Sequence, residues 1–345
     1  MEYKRPWILN KLVRGGMVGL ILILILGSLA SGQTVQPLPP QQTVMVHGHK
    51  LAYYEAGKGS VVILIHGLGA DSRHWAANID ALSQNFRVIA LDQIGYGQSD
   101  KPLMRYTVEN FSDYLHGFLQ AVKIPQASLV GNSLGGWVAL DFTLRHPQMV
   151  EKLVLVDAAG LRPAAALKLP AGPRMILTPL NTQWFFDLMA ANKEWAATDL
   201  GPNAFERHVQ NGDSYTVASS VAEMITGRDF EDKKLGKVHV PTLIIWGSDD
   251  VLIPLAMGEQ LHKGIADSQM IVIDGTGHIP MVGKPAEFNE AVRKFLNSPP
   301  HRGGDKGVVG IGVKIGRCTA DTGRVQCTRF QTSSKTSGEL GVALR

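Results

Sequence analysis

Short, unbroken runs of Val, Ile and Leu, separated by stretches with helical periodicity, constrain this chain more than any other feature. Strands are expected at 43–47, 51–56, 61–65 ("VVILI"), 86–91, 127–131, 151–156, 242–246 and 269–273, with helices near 74–84, 107–122, 134–146, 255–264 and 285–297. A strand that is apolar along its whole length, rather than at alternate positions, has to be covered on both faces. Strands of that kind alternating with helices imply a largely parallel sheet between two helical layers. About 85 residues separate the runs at 151–156 and 242–246, carrying Trp184, Phe185, Phe186, Met189, Trp195 and Met224 at mostly helical spacing. An inserted helical subdomain is expected there.

The two ends differ in character from the body. Lys4, Arg5, Lys11 and Arg14 precede an apolar run from Met17 to Ala30, and small residues follow in Ser28-Leu29-Ala30-Ser31-Gly32. That order is the pattern of an export signal. The 14 apolar residues fall short of the roughly 20 that span a bilayer comfortably. The expectation for 1–32 is a cleaved signal peptide, with an uncleaved membrane anchor as the alternative. Either way the folded body lies outside the membrane, periplasmic or extracellular. Residues 33–42 ("QTVQPLPPQQ") read as an extended linker. Residues 299–345 read as a Gly-rich basic tail, expected to be disordered.

Of the formal charge of +4, residues 1–32 carry +3 and residues 301–345 carry +5, so residues 33–300 hold a net −4. A nucleic-acid partner has no support in that body. The two cysteines, Cys318 and Cys327, both lie in the tail and are able to pair in an oxidising compartment. Thiol catalysis and a cysteine-built metal site in the body are thereby excluded, and no nucleotide or metal signature is present. "HGHK" (47–50) holds two histidines but falls between two strand runs, where a hairpin tip explains it better than a metal site.

The densest chemical signal is "LVGNSLGGWVAL", residues 129–140. A strand runs into Gly131-Asn132-Ser133-Leu134-Gly135 and a helix leaves it. Glycines two before and two after the serine, Gly131 and Gly135, permit the sharp turn that lifts a nucleophilic hydroxyl above a sheet edge. A serine needs a base, and a neutral histidine is the usual one near pH 7. Of eleven histidines, His116 and His146 fall on helices, and His47, His49 and His239 near strand ends; His278 follows the last strand in "IDGTGHIP". An orienting carboxylate has three candidates, Asp249 and Asp250 in "IIWGSDDVLIP" and Asp157 at the end of 151–156. A tetrahedral oxyanion needs backbone donors. Leu134 supplies one, and Leu68, in the loop "HGLG" after the third strand, supplies the other.

Residues 43–298 resemble the α/β-hydrolase superfamily, specifically its capped serine hydrolases. The resemblance rests on His66-Gly67-Leu68-Gly69, "LDQIGYGQSDKP" (91–102), "GNSLGG" (131–136), "WGSDD" (246–250) and "GTGHIP" (275–280). It implies an eight-stranded, mostly parallel sheet with helices on both faces, a core formed by 43–160 and 237–298, and a helical cap over 161–236. It also selects Asp250 over Asp249 and implies the triad Ser133, Asp250, His278. Two departures stand out. The family often has proline where Gln93-Ile94 stands, and histidine where Asn132 stands; Asn132 is shared with hydrolases that cleave carbon–carbon bonds in ring-fission products, and with many esterases.

The function expected is a serine hydrolase acting on a small-molecule carboxylic ester through an acyl-enzyme, without cofactor or metal. Membrane association is expected only through the N-terminal segment. The alternatives are carbon–carbon bond hydrolysis of ring-fission-type dienones, and a ligand-binding receptor on the same fold.

Overall fold

A computed structural model describes residues 37–162, 210–226, 230–299, 318–321 and 324–327. The elements lie in the compact unit Leu38–Arg345. Eight strands, β1 (Gln42–Val46), β2 (His49–Ala56), β3 (Val61–Ile65), β4 (Arg87–Leu91), β5 (Ala127–Asn132), β6 (Val150–Val156), β7 (Thr242–Gly247) and β8 (Ser268–Ile273), form one sheet in the order β1-β2-β4-β3-β5-β6-β7-β8. β1–β2 and β2–β4 are antiparallel and every other pairing is parallel. Each expected strand is present within one or two residues of its expected ends.

The pure Val/Ile/Leu composition of the central strands follows from their surroundings. Residues 62–65 of β3 and all of β5 and β7 are buried. Helices α1 (Ala76–Ser83), α2 (Val108–Ala121), α3 (Leu134–Arg145), α4 (Ser214–Thr226), α5 (Leu255–Gly264) and α6 (Pro285–Asn297) accompany the strands. In α6 the buried residues Phe288, Ala291, Val292, Phe295 and Leu296 recur at the three-and-four spacing of one helical face. Its last carbonyls are capped from the sheet: buried Lys152 Nζ donates to Phe295 O (3.0 Å), Leu296 O (2.8 Å) and Ser298 O (2.5 Å). His47-Gly48 forms the two-residue turn between β1 and β2 with φ of 50° and 82°, matching the hairpin read from "HGHK".

Register places one row across the sheet: Ile65 beside Gly131, Gly131 beside Leu155, Leu155 beside Ile244, and Ile244 beside Met270. The loops after β3, β5, β6, β7 and β8 therefore leave from one edge. Connections diverge there, because β3 has β4 on one side and β5 on the other. In open parallel sheets that divergence opens a crevice where ligands bind.

The aromatic-rich stretch containing Trp184, Phe185, Phe186, Met189 and Trp195 lies outside the described residues, as do the signal-like segment 1–32 and the run Met17–Ala30. Of the span expected to form a cap, α4 is described. No described helix is long and apolar enough to cross a membrane. In the tail, expected to lack order, the structure has two short antiparallel strands, β9 (Cys318–Asp321) and β10 (Arg324–Cys327), with Cys318 opposite Cys327 in register. Neither CTAD nor RVQC contains the continuous Val/Ile/Leu run by which the other strands are read from sequence.

Candidate active site

The end of β5 carries the sharpest backbone feature of this edge. Ser133 has φ 56° and ψ −119°, a conformation that side-chain-bearing residues avoid. Its carbonyl starts α3, accepting from Trp137 N (3.1 Å), and no side-chain capping bond ties up its hydroxyl. The two flanking glycines do not themselves adopt positive φ. They permit close approach: a Cβ on Gly131 would stand 2.2 Å from Gly135 O, and one on Gly135 would stand 2.2 Å from Ile65 O and 2.5 Å from His66 O. Strain sits on the serine, and the glycines clear the space around it.

His278, fully buried after β8, points Nδ1 at Asp250 Oδ2 at 2.8 Å. A carboxylate accepts only, so Nδ1–H donates and Nε2 is left as the basic nitrogen. Nε2 is buried without a hydrogen-bond partner in the described protein. Asp250 is held in turn, its Oδ1 accepting from Leu252 N (2.8 Å) and Ile253 N (2.9 Å). The neighbouring Asp249 turns away: its Oδ1 accepts from the Ser248 hydroxyl (2.8 Å) and its N–H donates to Thr276 O (2.8 Å). Of the two adjacent aspartates, the histidine therefore meets Asp250. The third candidate also comes close. Asp157, Asp250 and His278 present ligand-type atoms within 4.8 Å of one another, all buried.

Asn132 couples this histidine to the serine turn. Its Nδ2 donates to Val156 O (3.2 Å) and to His278 O (3.0 Å), so the residue before the serine holds the loop that delivers the histidine. The sequence marks Asn132 as unusual but not as a bracket, because its two acceptors lie 24 and 146 positions away.

The loop after β3 closes the other side. A Cβ on Gly67 would stand 3.1 Å from the Ser133 Cβ, so this loop lies directly against the serine. Leu68 follows in the loop and is buried, and Leu134 is the first residue of α3, where amides have no intrahelical acceptor. Polar contacts hold the loop in shape. His66 Nδ1 donates to Gly67 O (2.8 Å), and its Nε2 accepts from Gln93 N (3.1 Å). The Gln93 side chain donates to His66 O (2.8 Å). Burial pushes the His66 imidazole below its ordinary pKa, which keeps it neutral and both bonds intact. Asp92 Oδ1 accepts from Ser72 N (2.8 Å) and its Oδ2 from Gln98 N (2.8 Å). Asp71 caps the turn Ser72–Trp75; burial opposes its charge, but Arg73 outweighs that and holds its carboxyl at about 2.

Helix α4 is anchored to the chain that follows β4. Tyr106 N donates to Ser219 Oγ (3.1 Å), the hydroxyls of Tyr96 and Ser220 lie 3.4 Å apart, and Arg105 makes a two-pronged pair with Glu223 (2.8 and 2.7 Å).

A family model described as alpha/beta hydrolase fold matches residues 60–285. A curated relative, the 2-hydroxy-6-oxo-6-(2'-aminophenyl)hexa-2,4-dienoic acid hydrolase of Metapseudomonas resinovorans, is 32% identical over 269 residues, covering 74% of this chain and 91% of its own. Among solved structures, a meta-cleavage product hydrolase from Pseudomonas fluorescens IP01 superposes with TM-score 0.65 at 29% identity, over 74% of this chain and 97% of that one. A bacterial membrane phospholipase A superposes with TM-score 0.64 at 27% identity, over 81% of this chain and 97% of that one.

Proposed function

We propose that this chain, which belongs to the α/β-hydrolase family, is a serine hydrolase that cleaves carboxylic esters through an acyl-enzyme on Ser133. In this reading His278 Nε2 takes the Ser133 proton as Oγ attacks the acyl carbon, and returns it to the departing alcohol. His278 then activates the water that releases the acid. Asp250 fixes the tautomer and faces the imidazolium, while the amides of Leu68 and Leu134 stabilise the oxyanion. The observation that carries the reading is the buried Asp250–His278 bond of 2.8 Å, tied through Asn132 to a serine whose hydroxyl caps nothing. The phospholipase A likeness supports an ester substrate with an acyl chain, and the basic, apolar and small-residue order of residues 4–32 supports export or membrane anchoring.

A second reading, hydrolysis of a carbon–carbon bond in a ring-fission dienone, is favoured by Asn132 and by the names of the dienoic acid and meta-cleavage hydrolases above. One experiment separates the two. The full chain and Ser133→Ala are assayed on p-nitrophenyl esters from acetate to palmitate and on 2-hydroxy-6-oxo-dienoates. Ester turnover lost in Ser133→Ala supports the first reading, and dienoate cleavage without ester turnover moves the assignment to the second. Equal activity of both proteins defeats the assignment of Ser133.

A further inference from the structure

We propose that Asp157 is a second carboxylate of the acid–histidine pair, a positioning residue that faces His278 alongside Asp250 and partly replaces it when Asp250 is neutralised. The inference rests on the serine–histidine reading above. Three independent features carry it.

The first is placement. Asp157 is fully buried at the end of β6, and one of its carboxylate oxygens, one of Asp250 and one ring nitrogen of His278 lie within 4.8 Å of one another. An opposite charge within about 4–6 Å favours an imidazolium, so the cation formed when His278 takes the serine proton meets two carboxylates.

The second is backbone strain. Asp157 has φ 42°, where a residue other than glycine is rare. Ser133, at the end of the adjacent strand β5, has φ 56°. These are the two side-chain-bearing positive-φ residues at this edge among the described residues, His47 and Lys123 lying elsewhere. Strain of this kind persists where the surroundings over-determine it, and it gathers at functional positions.

The third is connectivity. Asp157 Oδ1 accepts from Gly247 N (2.9 Å) and its own N–H donates to Ile245 O (2.9 Å), while Asp250 N donates back to Gly247 O (3.4 Å). The two acids thus share Gly247 as a common support. An Asn side chain accepts from Gly247 N equally well, so the structural bond does not by itself call for a buried charge, whose burial is costly.

The test compares the rate at which a fluorophosphonate labels Ser133 in the full-length wild type, Asp157→Asn, Asp250→Asn, the double variant and His278→Ala. That rate depends on the serine–histidine pair whatever the natural substrate. Asn keeps the acceptor for Gly247 N and removes only the charge. Loss of a lone orienting acid costs about 10⁴-fold. Here Asp250→Asn should lose about 10²-fold, Asp157→Asn no more than about threefold, and the double variant at least tenfold beyond Asp250→Asn, approaching His278→Ala. The same factor for Asp157→Asn in both backgrounds overturns the proposal. So does Asp250→Asn alone falling to the His278→Ala level, an outcome that needs no Asp157 variant to fold. No labelling of the wild type defeats the serine–histidine reading instead.

Discussion

Two loops meet at Ser133, and they are held in opposite ways. The turn after β5 is shaped chiefly by what cannot fit: Gly131 and Gly135 approach backbone carbonyls so closely that a single methyl group would stand 2.2 Å from an oxygen. The loop after β3 is shaped chiefly by hydrogen bonds from elsewhere in the chain, from Gln93 to both the ring and the carbonyl of His66, and from Ser72 to Asp92. Steric exclusion is stiff and short-ranged, whereas a hydrogen-bonded loop depends on partners that can be removed or titrated one at a time. The first loop should therefore fail abruptly on substitution and the second by degrees.

The largest effect is expected for Gly135→Ala. Its methyl group meets the carbonyls of Ile65, the last residue of β3, and of His66, the first residue of the loop after it. A loss of about 3 kcal/mol or more should appear as a thermal midpoint lowered by roughly 6–12 °C, alongside a loss of labelling at Ser133. A stable, active Gly135→Ala protein would refute the steric account of the turn.

Asn132→Ala comes next and probes the one side-chain bracket in that turn. It leaves the buried carbonyls of Val156 and His278 without this donor, at a cost of about 2 kcal/mol. Labelling of Ser133 should slow by more than the stability change explains, since His278 loses its tie to the serine. Unchanged labelling with lowered stability would reduce Asn132 to a packing role.

For the polar loop, the pH dependence of His66 is the sharper probe. Burial lowers its folded pKa below the ordinary value of about 6.5, so the unfolded chain binds a proton that the folded one refuses. The stability tied to neutral His66 is complete above about pH 6.5 and is lost as pH falls below it, by up to about 1.4 kcal/mol per pH unit. Urea midpoints between pH 7.5 and 5.5 should fall less steeply in His66→Gln than in wild type. Parallel slopes would remove His66 from the account.

The smallest effect is expected for Gln93→Met, which deletes the side-chain donor to His66 O and keeps the N–H to His66 Nε2. About 1 kcal/mol of stability should be lost. A fall in kcat with little change in KM, on whichever substrate is turned over, would mark the loop of Leu68 as displaced, whereas a change confined to KM would place Gln93 in substrate binding.

The same contrast explains how far each loop was legible in the residues. Glycine–x–Ser–x–glycine between a strand and a helix states part of its constraint locally, since Gly131 meets Gly135 four positions on, whereas the carbonyls that Gly135 meets belong to Ile65 and His66. The eight strands were legible for a similar reason: a doubly covered strand has to be apolar throughout, and its ends show where the runs stop. The serine, the acid candidates and the histidine each follow a strand run, which pointed to one sheet edge. Asp250 was chosen over Asp249 through resemblance, and the structure supplies the physical distinction, because Asp250 reaches His278 whereas Asp249 serves the turn.

Three residues show where that legibility ended. Gln93, in the pair Gln93-Ile94, and Asn132 read as departures from a family pattern, and Asp157 as a third acid candidate; in the fold each supports another residue's backbone or ring. Their partners lie 24 to 146 positions away. What the residues alone determined about this protein is its layered sheet, the sharp turn at Ser133, and the edge on which its chemistry gathers, because turn chemistry and hydrophobic periodicity act over a few positions. The tertiary structure decided which carboxylate meets His278, what braces the loop of Leu68, and that Asp157 stands beside both, because hydrogen bonds and charge depend on distances that only the strand order brings about.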